Sequence, residues 1–184
     1  METLNKTQLI EFVDQIVNKE QIFNSDVCSY SKEKQVEFLN SESVLSYGVA
    51  VENKLVSFLQ VFVTSEKSFG DFCFKNIPEE DLIKEPIVKG QPFCIYFSSV
   101  IFQSSTHARL LITNVYQELI EVLPFAICSF SIIKKEMDPS FLKRFGFKKS
   151  NYDYKKEYDV YNRVGGVWLE KFQTYEVREH LATC

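Results

Sequence analysis

From Leu4 to Lys19 the apolar residues Leu9, Ile10, Phe12, Val13, Ile16 and Val17 recur three and four positions apart. That spacing places them on one face of a helix, with Asn5 or Thr7 standing where a cap is expected. A shorter helix is expected from Ser31 to Leu39, capped by Ser31 and carrying Glu33 in its first turn, where a carboxylate suits the helix dipole. The pattern then changes. Residues 43–64, SVLSYGVAVENKLVSFLQVFVT, are two β-rich runs divided at Glu52-Asn53-Lys54, a turn whose asparagine tolerates a left-handed backbone, and so predict a hairpin. Residues 64–92 hold charges, Gly70, Pro78, Pro86 and Gly90, and predict a long irregular excursion with one short strand at Phe72 to Phe74.

Beyond it, FCIYFSSVIFQ (93–103) is nearly continuous in apolar and aromatic residues, as expected of a central strand covered on both faces. Helical spacing returns in 106–123, through Leu110, Leu111, Val115, Leu119, Ile120 and Val122, and Pro124 is expected to close that helix. FAICSFSII (125–133) predicts another strand. Asp138-Pro139 predicts the start of a short helix with proline at its first position, ended by Gly146. A strand pair is expected around Phe147 to Tyr161, then an amphipathic segment from Val167 to Leu181 with Trp168, Leu169, Phe172 and Val177. Together these predict an α/β fold with a mixed central sheet flanked by helices, one domain over 1–184, and a C-terminal amphipathic extension at 165–184.

Composition sharpens this picture in a few places. The chain has 184 residues, 45% of them hydrophobic and 15% aromatic, including 17 Phe, so it is long enough for a sizeable, phenylalanine-rich core and is not a disordered chain. A net charge of −4 and a pI of about 5.3 give no general attraction to nucleic acid, and the basic stretch from Lys143 to Lys156 reads as a solvated face. The polar N-terminus lacks the apolar core of a signal peptide, and no run approaches the roughly 18 apolar residues of a membrane span. Cytoplasmic residence is the resulting expectation. Cys28, Cys73, Cys94, Cys128 and Cys184 are scattered and never form CxxC, so with only His107 and His180 beside them no metal site is expected.

Two stretches carry a resemblance. Gln103-Ser104-Ser105-Thr106-His107-Ala108, at the junction of the central strand and the long helix, resembles the Q/R-x-x-G-x-G/A turn of the GNAT superfamily of acyl-CoA-dependent N-acyltransferases. DPSFLKRFGF resembles that family's short last helix with its terminal Gly-Phe, here Gly146 and Phe147. The order of elements over residues 5–160 is similar to the family's as well.

The resemblance implies a GNAT-like mixed sheet and acetyl-CoA or another acyl-CoA as cofactor. Ser98, Ser99, Val100 and Ile101 would pair with the pantetheine arm, while Gln103, Ser104, Ser105, Thr106, His107, Ala108 and Arg109 would hold the diphosphate, where unpaired amides and the helix dipole make an anion site. The acceptor would be an amine on a small molecule or a protein. Departures are visible. Thr106 replaces the middle glycine, bringing a Cβ and a hydroxyl and excluding easy use of positive φ. Leu142 stands where many members carry a tyrosine acid, and Lys135 and Asp138 replace an asparagine and a small residue. Tyr152 and Tyr154, with Tyr158, are substitute acids or simply one strand face. The family's base, a glutamate on or near the central strands, has no counterpart on that strand, which offers Tyr96, Ser98 and Ser99. His107 either contacts a phosphate or is exposed at the helix start. The other reading is a catalytically impaired GNAT-like protein that acts as a protein-binding or regulatory module, its 165–184 segment meeting a second copy or another protein.

Overall fold

The structure, a computed structural model, describes residues 2–24, 30–75, 77–84, 90–151 and 158–164. The expected C-terminal amphipathic segment, Tyr152 and Tyr154 lie outside the described residues.

The chain opens with a strand, β1 (Glu2–Asn5), where the helix was expected to begin. Leu4 belongs to the strand because it pairs opposite Gly48, and Asn5 then caps the helix. Its side chain accepts from the amides of Thr7 and Gln8 while Gln8 Oε1 accepts from the Asn5 amide, a complete capping box. Helical structure runs through α1 (Lys6–Leu9), a 3-10 turn at Ile10–Phe12 and α2 (Val13–Asn24), five residues further than expected. Helix α3 (Lys32–Asn40) follows, with Ser31 Oγ accepting from Lys34 N at 3.2 Å as its cap.

The predicted hairpin is β2 (Val44–Val51) and β3 (Lys54–Ser65). Both turn residues take positive φ, Glu52 at 50° and Asn53 at 57°, the geometry whose twist matches that of the strands it joins. The expected short strand at Phe72 to Phe74 is instead part of a helix, α4 (Glu66–Lys75). The relevant spacing is three rather than two: Phe69 and Phe72 pack inward on one helical face, whereas Phe74 is 73% exposed. A short 3-10 helix at Glu79–Ile83 completes the excursion.

Strand β4 (Phe93–Ile101) leads into α5 (Ser105–Leu119), and Pro124 falls in a 3-10 turn, Leu123–Phe125, before β5 (Ala126–Lys134). Helix α6 (Ser140–Arg144) has Pro139 as its N-cap rather than its first residue, and Asp138 Oδ1 accepts from Ser140 N and Oγ. Its end is a complete Schellman motif: Phe147 N donates to Leu142 O, Gly146 N donates to Lys143 O, and Gly146 holds φ at 82°. Strands β6 (Lys148–Lys149) and β7 (Tyr158–Val164) close the chain's described part.

The seven strands form one sheet in the order β1-β2-β3-β4-β5-β7-β6, antiparallel except for the central β4 and β5, which are parallel. Helices α5 and α6 cover one face, where Val61, Val63, Ile95 and Phe97 meet Leu111, Val115, Leu119 and Leu142. Helices α1 to α4 cover the other face, which is split into two clusters. One gathers Phe38, Phe62, Phe72, Tyr96 and Phe130; the other holds Leu9, Ile16, Leu39, Phe58 and Ile101. What separates them is polar.

Candidate active site

Strands β4 and β5 pair only at their beginnings. Cys94 lies opposite Cys128, Ile95 opposite Ser129 and Tyr96 opposite Phe130, and there the register stops. Beyond that point β4 continues against β3 and β5 continues against β7. The two central strands therefore part, leaving backbone edges that face one another without forming a ladder, bridged near the vertex by Ser131 Oγ donating to Phe97 O at 3.1 Å. A chain of alternating donors and acceptors fits such an opening, because main-chain groups there still need partners.

At the same place β4 carries a bulge. Gln60 of β3 pairs with Ser99 and the next residue, Val61, pairs with Phe97, so Ser98 is the extra residue. Tyr96 faces the α1–α4 side, Phe97 and Val100 the α5 side, and Ile101 the α1–α4 side again. Only the extra residue lets the pattern close, and it turns two successive serines to the same side. Ser98 Oγ donates to Glu79 Oε1 at 2.9 Å, and Ser99 Oγ is directed at Glu20 of α2.

Ser99 ends a polar row that crosses three strands. Ser46 is opposite Gln60 and Gln60 opposite Ser99, at 2%, 0% and 1% exposure, so the row is sealed from solvent while Phe58 and Phe62 flank it along β3. Gln60 Nε2 donates to Ser46 Oγ at 3.4 Å. Glu20 and Gln35, both fully buried, join from the helices on that face. Among the described residues, both carboxyl oxygens of Glu20, both amide atoms of Gln35, Gln60 Oε1 and Ser99 Oγ make no hydrogen bond. Buried polar atoms are rarely left so, and this many together mark a place built to meet something else. Burial drives the Glu20 carboxyl up to about 8; the nearby Ser99 hydroxyl offsets part of that rise although it stops short of hydrogen-bond geometry, and Glu79 adds to it.

On the opposite side of the opening stands the α5 N-terminus. Ser104 is its N-cap, accepting from His107 N at 3.2 Å, and Ala108 N donates to Ser104 O. Gln103 N donates to the buried Ser57 Oγ at 2.9 Å, and the same hydroxyl is hydrogen-bonded to His107 Nδ1, also at 2.9 Å. Five amides of the expected diphosphate turn thus divide: Gln103, His107 and Ala108 are used within the chain, whereas Ser105 and Thr106 make no hydrogen bond among the described residues and head the helix. Thr106 lies within the helix, exposed, with no positive φ, so the conformational objection to a threonine does not arise. Ala108 is buried in the core, Arg109 is exposed and His107 is half-buried rather than exposed. Substituting Ser57 with alanine strips both Gln103 N and His107 Nδ1 of their partner; a loss of about 1–2 kcal/mol in denaturant unfolding is expected.

Leu142 is a core residue at 4% exposure, which excludes it from proton transfer, and Tyr158, at 7%, packs with Phe38 and Tyr96. Cys94 and Cys128 face each other across the parallel pair with sulfurs 3.4 Å apart, and burial pushes the Cys73 thiol up to about 11. No group of three His, Cys, Asp or Glu among the described residues could hold a metal ion, and no described helix is long and apolar enough to cross a membrane. Glu20 escaped the sequence reading although it continues the stripe of Leu9, Val13 and Ile16 by one more helical step, and Gln60 interrupts an apolar run. A charged or amide residue on a buried stripe was the available signal.

A seven-stranded mixed sheet with this order, a parting central parallel pair and helices on both faces is the GNAT fold. No protein-family model matches the chain, and no curated protein matches it in sequence. Solved structures match it as folds. Arabidopsis thaliana NAA60 in complex with acetyl-CoA is similar at a TM-score of 0.51 and 15% identity, over 83% of this chain and 92% of that one. The PaiA N-acetyltransferase of Thermoplasma acidophilum in complex with coenzyme A is similar at 0.53 and 10% identity, over 89% and 99%. FeeM, an N-acyl amino acid synthase from uncultured soil microbes, is similar at 0.52 and 11%, over 89% and 95%.

Proposed function

We propose that the protein is an acyltransferase that moves an acetyl or longer acyl group from CoA, or from a phosphopantetheine carrier, to an amine. The observation that carries this reading is the parting of β4 from β5 after Tyr96 and Phe130, with the free head of α5 on one side and the buried polar row on the other. The open edge at Ser98 to Ile101 offers alternating main-chain donors and acceptors to the amide-bearing pantetheine arm. The amides of Ser105 and Thr106, the dipole of a 15-residue helix and the half-buried His107 favour a diphosphate. Bound acyl-CoA supplies a thioester carbonyl. Amides near Ser99 and Val100 would stabilise negative charge on its oxygen, and the strands would hold it in line with the incoming amine.

The test is calorimetry with acetyl-CoA and longer acyl-CoAs. Binding is expected, and Thr106→Gly is expected to tighten it by removing the Cβ at the head of α5 while weakening the helix start. No binding at millimolar ligand sinks the reading. Leu142 favours a second reading in one respect, since a core leucine supplies no acid to a leaving thiolate. Absence of acyl-CoA binding would therefore assign the fold to a protein-binding or regulatory role.

A further inference from the structure

Cys94 and Cys128 stand directly opposite each other in the parallel pair, hydrogen-bonded and with their sulfurs 3.4 Å apart. A backbone irregularity puts them there. Phe93 pairs with Ala126 and the next residue of β4, Cys94, pairs with Cys128, so Ile127 is the extra residue of a bulge in β5. In a regular ladder Cys94 would oppose Ile127, and Cys128 would point to the α5 side with Ala126. The bulge turns Cys128 to the α1–α4 side, where Cys94 already lies. One buried thiol is a small hydrophobe and carries no chemistry by itself. Two in register differ, because a disulfide needs Cα atoms about 4.4–6.8 Å apart and neighbouring strands lie about 4.8 Å apart. The sulfurs can close while the strands stay in place.

Access to the two is unequal. Cys94 is fully buried, whereas Cys128 is half-buried, as is Cys73 of α4 nearby. A small oxidant therefore meets Cys128 before Cys94. The hydrogen bond between the pair favours the thiolate at Cys128 and, together with burial, keeps Cys94 protonated. Burial pushes the Cys73 thiol up to about 11, which leaves it a poor competitor. Glu66, at the start of α4, is close enough to oppose ionisation of both members of the pair; it slows the reaction without moving it to another residue.

We propose that Cys94 and Cys128 are a modification site for hydroperoxides, in which Cys128 is oxidised first and Cys94 resolves the product into a disulfide. This chemistry stands apart from acyl transfer and needs no bound acyl-CoA. The Cys128 thiolate attacks the terminal peroxide oxygen, an S–O bond forms and the O–O bond breaks, and the departing alkoxide or hydroxide takes up a proton to leave as alcohol or water. Cys128 is then a sulfenic acid. The Cys94 sulfur attacks it, the S–S bond forms, the S–O bond breaks, and hydroxide leaves as water with the Cys94 proton. Two thiols lose two electrons and one peroxide gains them. The link fastens the sheet at its central join, since the four registered pairs from Phe93–Ala126 to Tyr96–Phe130 connect the β1–β4 half with the β5–β7–β6 half. It lies before the parting of the strands and leaves the opening beyond Tyr96 clear.

Hydrogen peroxide is the probe, applied to the whole folded protein and followed by alkylation of the remaining thiols and peptide mapping. A peptide pair linked through Cys94 and Cys128 is expected, reversed by dithiothreitol. While the link lasts, the melting temperature should rise by roughly 5–15 °C, because the cross-link closes a loop that contains all of α5. In Cys94→Ala the Cys128 sulfenic acid lacks its resolving thiol and should be trapped by dimedone. In Cys128→Ala, Cys94 should stay a thiol. Mapping of the natural protein decides the matter even if either variant fails to fold. Cys94 and Cys128 both recovered as alkylated thiols, Cys128 linked instead to Cys28, Cys73 or Cys184, or a Cys94–Cys128 link that forms only in urea overturns the inference. An oxidised protein that melts below the reduced one overturns it as well, since the fold would then not accommodate the link.

Discussion

Glu20→Gln is expected to make the protein more stable, and increasingly so as pH rises. The folded chain holds the Glu20 proton up to about 8, whereas an exposed carboxyl releases it near 4.5. Between those values the folded state binds a proton that the unfolded state has lost, so unfolding free energy falls with rising pH and levels off above the folded value. Glu20 alone accounts for about 4–5 kcal/mol of that decline. Glutamine does not ionise but must still be buried with few partners, so a gain of about 3 kcal/mol is expected at about pH 9 and little change at about pH 4.5. For a chain of this size that is roughly 6–12 °C in melting temperature. Denaturant unfolding at the two pH values checks it. An unchanged slope in the variant would place the proton uptake on another group. A residue so costly to the fold is the kind that function retains and stability alone would remove.

The second large effect is expected at Phe130. This side chain is fully buried, stacked on Tyr96 with ring centroids 4.7 Å apart and planes at 23°, and it also meets Phe69 at 4.4 Å and Phe72 at 6.0 Å. Phe130→Ala removes most of a ring from a packed aromatic group and should cost about 3–5 kcal/mol, roughly 6–20 °C of melting temperature. Tyr96 and Phe130 are also the last registered pair before β4 and β5 separate. Loss of the ring should therefore weaken acyl-CoA binding as well as stability. Phe130→Leu, closer in volume, should cost less than about half as much and retain more of the affinity. Thermal unfolding and calorimetry on both variants test this, and an alanine variant within about 1 kcal/mol of the natural protein would refute it.

How much of this was legible in the sequence depended on whether local chemistry or distant pairing set the structure. Asn53 at the hairpin turn, Ser31 at the α3 start and Gly146 after α6 each act within four residues, and each does what its chemistry predicts. Strand β1 is only four residues long and exists because β2 pairs with it, which helical periodicity around Leu9 concealed. The bulge at Ser98 was hidden for a different reason. With both faces of β4 covered, its side chains do not alternate between apolar and polar, so an extra residue leaves no trace in the pattern. The site suffered most. Glu20, Gln60 and Glu79 come from three separate elements, and only the folded register puts them beside Ser98 and Ser99. The turn from Gln103 to Ala108 was read at the correct junction, but the chain itself takes up three of its amides, two at Ser104 and one, that of Gln103, at Ser57, 46 residues earlier.

The bulge at Ser98 in β4 also preserves the parity of the strand. Side chains along a strand change face at every step, so the count between two anchored points decides which face each later residue meets. With Ser98 present, Ser99 and Ile101 look toward α2 and Val100 toward α5. A strand that ran regularly through Ser98 would exchange them, sending the Ser99 hydroxyl into the aliphatic packing beneath α5 and Val100 toward the carboxyl of Glu20. The bulge prevents this by letting Ser98 and Ser99 share a face, and the side chain at 98 matters less in this respect than the backbone irregularity.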